Sequence, residues 1–264
     1  VERERVIRAF IPEEYWELFF NLSEDDRNLG PVRFQVAKEN GENFRPSSEE
    51  QTKEAIAKIG TNNFVVTSRE DKPTKSKPNP PFITSTLQQA ASTRLGFSVK
   101  KTMTMAQRLY EGGYITYMRT DSTNLSEDAV QACRSLIDAE FGRNYLSENV
   151  RKFSSKEDAQ EAHEAIRPSD VEIDVNSLSG VDPDAGRLYD LIRNQFLACQ
   201  MAEAEYQSTT IKVTAGEFEL RVRGRILEFD GFTRVMPSTA KKDADEQLPD
   251  LRVGDELKSN EVEP

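Results

Sequence analysis

The sequence predicts an α+β protein with more than one domain, in which a helical segment is inserted into a β-rich domain. Three observations support this expectation. The chain has 264 residues, more than a single hydrophobic core usually spans. Short alternating apolar runs lie towards both ends, and apolar residues at helical spacing fill the middle. We therefore expect a discontinuous β-rich, arch-like domain at 1–76 and 204–264, and a helical domain at 77–203.

Both flanks carry strand patterns. Short apolar or alternating runs occur at 32–37, 63–68, 206–214, 218–223 and 226–229. Between the first two runs, Ser47 or Ser48 can cap a short helix that ends at Gly60. The pairs Ala215-Gly216 and Asp230-Gly231 supply turns between the later runs. Both ends of the chain are therefore expected to contribute strands to one domain.

A proline-containing stretch opens the middle of the chain. Because its prolines fix φ and remove hydrogen-bond donors, 72–81 predicts a stiff linker. Apolar spacing and terminating residues predict helices at 85–95, 99–111, 126–141, 156–166 and 187–201. The first two are joined at 96–98 with helix-turn-helix spacing, and 114–117 predicts a wing strand after them. We expect a winged-helix, CAP-like domain.

Composition excludes several classes of protein. No apolar stretch approaches the roughly 20 residues that a membrane helix requires, and the first residues, VERER, do not resemble a signal peptide. Cys133 and Cys199 lack Cys-x-x-Cys spacing, which indicates reduced core thiols and no zinc site. We therefore expect a cytoplasmic protein. The Val at position 1 and the last segment, NEVEP, suggest a piece of a longer chain.

Charge is distributed unevenly along the sequence. The formal net charge is −11 at pH 7, which on average argues against nonspecific binding to nucleic acid. Residues 71–120, however, carry eight Lys or Arg against Asp71 and Glu111, a local charge of +6 that leaves −17 for the remainder. This basic stretch is where a polyanionic partner is expected to bind.

The stretch YMRTDS at 117–122 points to phosphate chemistry. On an extended backbone Tyr117 and Arg119 project to the same side, where one phosphate can meet both. A nearby cation favours phenolate and stabilises negative charge that grows on phosphorus, and Arg can grip two phosphate oxygens. The alternative is that Tyr117 packs on a core while Arg119 is a solvated charge. Tyr110 and Tyr114 are competing nucleophiles, but neither has an Arg two places later.

Two further groups of residues are candidate phosphate contacts. His163 and Arg167 have i,i+4 spacing, so on a helix they share a face and can contact adjacent phosphates; a surface capping arrangement before Pro168 is the alternative. In the basic stretch, cations bracket the predicted helix turn, and neutral donors, among them Thr84, accompany them. These cations are Arg94, Lys100, Lys101 and Arg108. An ordinary solvated helix pair remains the alternative.

Four sequence blocks resemble the type IA DNA topoisomerase family of bacteria. They are PFITSTLQQAAS at 81–92, AQRLY at 106–110, YITYMRTDST at 114–123 and HEAIRP at 163–168. Each block is weak alone, but their order and spacing together are specific to the family. The resemblance implies that Tyr117 forms a covalent 5′-phosphotyrosyl link to one DNA strand. It also implies that Arg119 assists cleavage, while His163 contacts DNA near the site. Thr120 and Asp121, in the same stretch as Tyr117, are further candidate DNA contacts.

The resemblance also implies what lies outside this chain. In the family a second strand passes through the break, and resealing relaxes negative supercoils without ATP; no Walker-type loop occurs here. Mg²⁺ is bound by an Asp-x-Asp-x-Glu constellation in an N-terminal Toprim domain that this chain lacks, and the zinc-ribbon tail is absent too. Neither Asp182-Pro183-Asp184 nor the acidic run at 243–246 fits that pattern, so we expect no metal ligands in this chain.

These implications define the expected partners and the rival hypotheses. Partners are single-stranded DNA segments and the missing domains of the same polypeptide, in the bacterial cytoplasm at the nucleoid. The isolated chain is expected to bind single-stranded DNA weakly and to fail in relaxation. A winged-helix DNA-binding module without chemistry is the alternative. A tyrosine recombinase is weaker, because that family places several Arg and His before its Tyr, whereas the sole His here, His163, follows Tyr117.

Overall fold

The chain divides into two compact units. The computed structural model describes residues 2–11, 13–24, 27–153, 163–178, 180–239 and 247–264. The first unit comprises Val1–Pro73, Gln207–Ile226 and Lys242–Pro264, and the second comprises Thr74–Tyr206 and Leu227–Lys241.

The described residues form six α-helices and seven strands. The helices are α1 (Glu2–Ala9), α2 (Glu49–Gly60), α3 (Thr84–Leu95), α4 (Val99–Glu111), α5 (Glu127–Phe141) and α6 (Pro183–Gln200). The strands are β1 (Phe19–Glu24), β2 (Leu29–Glu39), β3 (Glu42–Asn43), β4 (Phe64–Ser76), β5 (Ala204–Ala215), β6 (Phe218–Phe229) and β7 (Glu256–Glu263). None of these helices is long and apolar enough to cross a membrane.

The first unit is organised around a closed sheet. The strand order is β1-β7-β4-β5-β6-β2-β3, and β1 also pairs with β2, so six strands form a ring with β3 at its edge. Antiparallel pairing sets Phe20 opposite Phe34 and Leu22 opposite Val32. These side chains are buried, because alternate residues along each strand point to the same face of the sheet and the apolar ones face the core. Helix α2, capped by Ser48, adds apolar residues to the same core.

The stiff linker predicted at 72–81 is wrong in its first half. Strand β4 continues through Pro73 to Ser76, and its neighbour in the sheet is β5. Polar side chains reinforce this pairing: Thr209 Oγ1 donates to Asp71 at 2.5 Å, and Lys75 pairs with Glu205 at 2.6 Å. The prolines and polar residues at 72–76 suggest a loop, but the contacts with β5, which is distant in sequence, keep these residues in an extended strand.

The second unit is helical around α6, which is buried along most of its length. The predicted helices at 85–95, 99–111, 126–141 and 187–201 are present as α3, α4, α5 and α6. Helix α6 begins earlier than predicted because Asp182 caps it and Pro183 occupies its first turn. Gly96 ends α3 with φ of 70°, a left-handed conformation that favours glycine. The two thiols predicted to lie in a core are buried and unpaired there: Cys133 and Cys199.

One local prediction for the second unit is wrong, and another lies mostly outside the described residues. No strand forms at 114–117; Ile115 makes only an isolated bridge to Pro168, so the predicted wing is missing. The helix predicted at 156–166 falls partly on 154–162, outside the described residues, and 163–165 are not helical. Backbone groups near His163 bond to distant segments instead, and Ile166 N donates to Phe82 O at 2.8 Å. Each backbone N–H is a single donor, so one that bonds to a distant carbonyl is not available for the i→i−4 bond of a helix.

Residues 227–241 belong to the second unit, although the sequence places them with the β-rich flank. Phe232 N donates to Ala202 O at 2.9 Å, and Tyr145 Oη donates to Asp230 at 2.7 Å. Phe232 and Val235 also pack against the apolar clusters of this unit. Strand β6 therefore begins in the first unit and ends in the second.

Candidate active site

Three separate segments of the second unit are held together by backbone bridges. Phe82 pairs with Ile166, and Ile115 pairs with Pro168, so the segment after His163 lies between the start of α3 and the Tyr117 loop. Thr116 Oγ1 donates to Ala165 O at 2.7 Å and accepts from Arg167 N at 3.0 Å. Residues far apart in sequence thereby gain fixed positions without regular secondary structure.

Thr84, the first residue of α3, secures the loop that follows Tyr117. Its hydroxyl lies 2.8 Å from Met118 O and 3.0 Å from Thr120 O, and it accepts from Thr120 N at 2.9 Å. Thr84 N also donates to Thr120 O at 2.9 Å. Since a hydroxyl supplies one proton and two lone pairs, one side chain satisfies backbone groups on both sides of Arg119.

The loop presents alternate side chains to solvent. Tyr117, Arg119 and Asp121 are exposed, whereas Met118 and Thr120 are buried. The backbone bends at 118 and 119 and is not the extended strand that the sequence predicts. The exposed residues nevertheless alternate with buried ones, as they would on a strand.

The Tyr117 side chain is accessible to an incoming phosphate. It is 46% exposed, and no hydrogen bond to its hydroxyl is found among the described residues. Its ring packs edge-on against Tyr110, with centroids 5.2 Å apart and planes at 64°. This contact restricts the ring while leaving the hydroxyl in solvent. Tyr110 is also exposed, at 42%, whereas Tyr114 is half-buried.

A cleft of about 550 Å³ brings together four of the predicted site residues. Its lining consists of Ile83, Thr84, Ser85, Gln88, Arg119, Thr120, Asp121 and His163. Arg119 and His163 are exposed, and neither has an ion pair in the part of the chain that is described. Tyr117 lies beside the cleft, two residues before Arg119, and is not part of the lining. The arrangement offers two cationic or donor groups, hydroxyls and an amide to a phosphate.

Arg167 does not line this cleft. Its guanidinium pairs with Glu164 at 2.7 Å and donates to Pro168 O at 2.8 Å, and its side chain is only 14% exposed. Glu164 also accepts from Ser126 N at 2.6 Å. Burial raises the pKa of Glu164, but the hydrogen bonds from Arg167 and Ser126 outweigh it, so the pKa lies below its ordinary value. Arg167 thus shares no helical face with His163 and holds the neighbouring loops together.

The cations of the α3–α4 helix pair differ in their surroundings. Lys101 pairs with Asp184 at 2.5 Å and Arg108 pairs with Asp182 at 3.1 Å. Lys100 is exposed and Arg94 is half-buried, and neither pairs with a carboxylate among the described residues. Burial lowers the pKa of Arg94. The acidic partners at the start of α6 lie about 75 to 85 residues away in sequence and give no local signal.

A family model described as DNA topoisomerase matches residues 1–264. The chain belongs to the DNA topoisomerase family. Curated relatives named DNA topoisomerase 1 are 58% identical in Pseudomonas aeruginosa, 57% in Salmonella typhimurium and 56% in Escherichia coli, each over 264 residues. Each comparison covers 100% of this chain and 30% of the relative. The chain therefore spans less than a third of the length of these relatives.

A solved structure supports the fold of this topoisomerase-family chain. The full-length topoisomerase I from Thermotoga maritima is similar with a TM-score of 0.73 and 31% identity, covering 99% of this chain and 42% of that one. The mixed α/β architecture with a large antiparallel sheet is thus that of a topoisomerase I structure.

Metal-binding geometry is not found in the described part of this topoisomerase-family chain. No group of three His, Cys, Asp or Glu lies together there. Asp182 and Asp184 are engaged by Arg108 and Lys101, and the acidic run at 243–246 lies outside the described residues. Asp182 and Asp184, each paired with a cation, do not form the oxygen-rich cluster that Mg²⁺ prefers.

Proposed function

We propose that this chain carries the nucleophile of a type IA DNA topoisomerase, and that Tyr117 is that nucleophile. The observation that carries the proposal is the exposed Tyr117 side chain, two residues before Arg119. Arg119 and His163 line one cleft. Family membership makes DNA the substrate to consider. Because the chain covers 30% of its relatives, activity is proposed for the complete polypeptide.

The proposed reaction is a transesterification. The Tyr117 oxygen attacks phosphorus and loses its proton, and a bond forms between that oxygen and phosphorus. The bond from phosphorus to the 3′ oxygen breaks, and that oxygen leaves with a proton as a free 3′-hydroxyl. The product is a 5′-phosphotyrosine whose bond energy is retained, so attack by the 3′-hydroxyl reverses the step and reseals the strand without ATP.

The cleft residues have complementary roles in this proposal. Arg119 holds nonbridging phosphate oxygens and stabilises the charge that develops on them. His163 donates a hydrogen bond to an adjacent phosphate, and Thr120 and Asp121 position DNA at the cleft. Arg94 and Lys100 extend the phosphate contacts along the helix pair. Lys101, Arg108 and Arg167 were candidates for the same role, but each must first give up a carboxylate partner.

The remaining functions require the rest of the polypeptide. Passage of a second strand through the break and relaxation of negative supercoils need a grip on both sides of the cut. Mg²⁺ in the complete enzyme is proposed to bind outside this chain. The isolated chain is therefore expected to bind single-stranded DNA without relaxing supercoiled plasmid. In the cell we place the complete protein at the bacterial nucleoid.

Covalent capture of DNA tests the proposal. The complete polypeptide is incubated with single-stranded DNA labelled at its 3′ end and with Mg²⁺, denatured, and analysed for label that migrates with protein, because the proposed link retains the fragment on the 3′ side of the cut. Tyr117→Phe should abolish capture, whereas Tyr110→Phe, which removes the hydroxyl of the packed neighbour, should retain it. Capture that survives in Tyr117→Phe refutes the assignment. If the unaltered protein binds DNA but is never captured, the chain is a non-catalytic DNA-binding module.

A further inference from the structure

The outer face of the closed sheet in the first unit forms a groove lined with arginines. Adjacent residues across β1, β2 and β6 are Asn21 opposite Arg33, Phe19 opposite Gln35, and Gln35 opposite Arg221. Their neighbours along each strand are buried in the core or, in the case of Val222, packed partly buried against it, so these side chains point outwards. With the segment 247–250 as a wall, they enclose about 850 Å³.

Four arginines line the groove, but they differ in their partners. Arg69 donates to Pro249 O at 3.1 Å and Leu251 O at 3.2 Å and pairs with Asp71, so it secures the wall. Arg33 is half-exposed and pairs with Glu263 at 2.9 Å. Arg221 and Arg223 also line the groove.

Arg221 and Arg223 have no carboxylate or hydrogen-bond partner among the described residues. They are two positions apart on β6, so both project to the groove side about 7 Å from each other. Each guanidinium is then able to contact a different phosphate of one strand. Because neither is already paired, an anion binds without displacing a protein carboxylate.

The floor of the groove has features suited to nucleotides as well as phosphates. The Arg33 guanidinium lies 3.5 Å above the centre of the Phe19 ring, which makes a planar stack on the groove surface. Bases stack on Arg guanidinium planes and on aromatic rings. Asn21 and Gln35 supply amide groups that both donate and accept hydrogen bonds. An acidic peptide would pair with the arginines of the groove but has no base to place on the Arg33–Phe19 stack.

We propose that this groove is a second binding site for single-stranded DNA, separate from the Tyr117 cleft, in which Arg221 and Arg223 contact the backbone and the Arg33–Phe19 stack receives a base. The inference rests on the proposed DNA-handling function and adds a site to it. Its location on the first unit means that the protein holds DNA at a place where no cleavage occurs.

Salt-dependent DNA binding by the 264-residue chain tests the site. A fluorescent thymidine oligonucleotide is titrated with the unaltered chain, with Arg221→Ala/Arg223→Ala, and with the control Arg3→Ala/Arg5→Ala. The control also removes two arginines that are two positions apart and without carboxylate partners among the described residues. Loss of two phosphate contacts should reduce the slope of log affinity against log salt by about 1.4, and affinity near 50 mM salt by roughly tenfold or more.

Three further outcomes separate this inference from the proposed function. If the groove variant binds like the control variant while Arg119→Ala/His163→Ala weakens binding, the groove is not a DNA site and the proposed function stands. If a polyglutamate of equal charge competes as well as the oligonucleotide, the groove selects charge alone and the inference fails. If the unaltered chain binds no DNA even at low salt, the groove inference and the expected DNA binding of the isolated chain both fail, whereas covalent capture with the complete polypeptide still decides the assignment of Tyr117.

Discussion

The two cationic regions of the second unit differ in what their charges face. Lys101 and Arg108 on α4 point to Asp184 and Asp182, whereas Arg119 lines a solvent-filled cleft without a carboxylate partner among the described residues. An ion pair on the surface contributes only about 0–1 kcal/mol to stability, yet it must be broken before the cation meets a phosphate. The difference teaches that local net charge does not by itself identify a phosphate-binding surface.

The largest expected effect separates catalysis from charge. Arg119→Lys keeps a cation but loses the planar two-oxygen contact, so strand cleavage by the complete polypeptide should fall by about 10²-fold. DNA affinity should change much less. Single-turnover cleavage rates and equilibrium binding are measured side by side, with Arg108→Lys as the matched control, which should cleave at the unaltered rate. Equal losses in rate and affinity for Arg119→Lys would make Arg119 a general phosphate anchor.

The next effect tests whether pairing neutralises the helix cations. Arg119→Ala in the 264-residue chain should lower the slope of log affinity against log salt by about 0.7, the value for one lost contact to a single strand. Arg108→Ala should leave that slope nearly unchanged, because Asp182 already occupies the guanidinium. Oligonucleotide titrations at several salt concentrations give both slopes. A larger change for Arg108→Ala would contradict the comparison.

A stability effect is expected where Thr84 secures the Tyr117 loop. Thr84→Val keeps the shape but leaves Thr120 N without its side-chain acceptor, so the free energy of unfolding should fall by about 1–3 kcal/mol. Thr84→Ser keeps the hydroxyl and should lose less. Urea unfolding compares the two variants. Equal midpoints for Thr84→Val and Thr84→Ser would show that the hydrogen bonds of the Thr84 hydroxyl contribute nothing to stability.

The smallest effect concerns pH. The pKa of Glu164 is lowered in the folded chain, so its stabilising contribution is present above the unfolded Glu value of about 4.3 and is lost as pH falls through the folded pKa. The carboxylate is partly buried, with 30% of its side chain exposed, and solvent screening should keep the contribution below about 1 kcal/mol. The difference in urea midpoint between the unaltered chain and Glu164→Gln should shrink from pH 7 to pH 3. A difference that grows on acidification would contradict the assigned ion pair.

Local patterns in the sequence predict most of the helices. Ser98 and Gly96 are capping residues that act within a few positions, and the helices beside them begin and end within one residue of prediction. The residues near His163 behave differently. Their backbone groups bond to Phe82 and Asn124, and such bonds between distant segments leave no periodic pattern in the sequence.

In the candidate site, too, local features could be predicted from the sequence and contacts between distant segments could not. The alternation that leaves Tyr117 and Arg119 exposed, with Met118 buried between them, is local and could be predicted, although bends replace the strand. Thr84 could be identified as a polar residue near the basic stretch, but its hydrogen bonds to Met118 and Thr120 depend on how the chain folds back. The pairing of Lys101 with Asp184 is equally non-local, because one residue lies on α4 and the other on α6.

Identification of the residue that becomes linked to DNA tests the central claim most directly. The complete polypeptide is captured on single-stranded DNA, digested with nuclease and protease, and the peptide that retains a nucleotide phosphate is sequenced by mass spectrometry. We predict that the phosphate is attached to Tyr117. Attachment to Tyr110, whose ring packs against the Tyr117 ring, or to Tyr114 would contradict the assignment of the nucleophile.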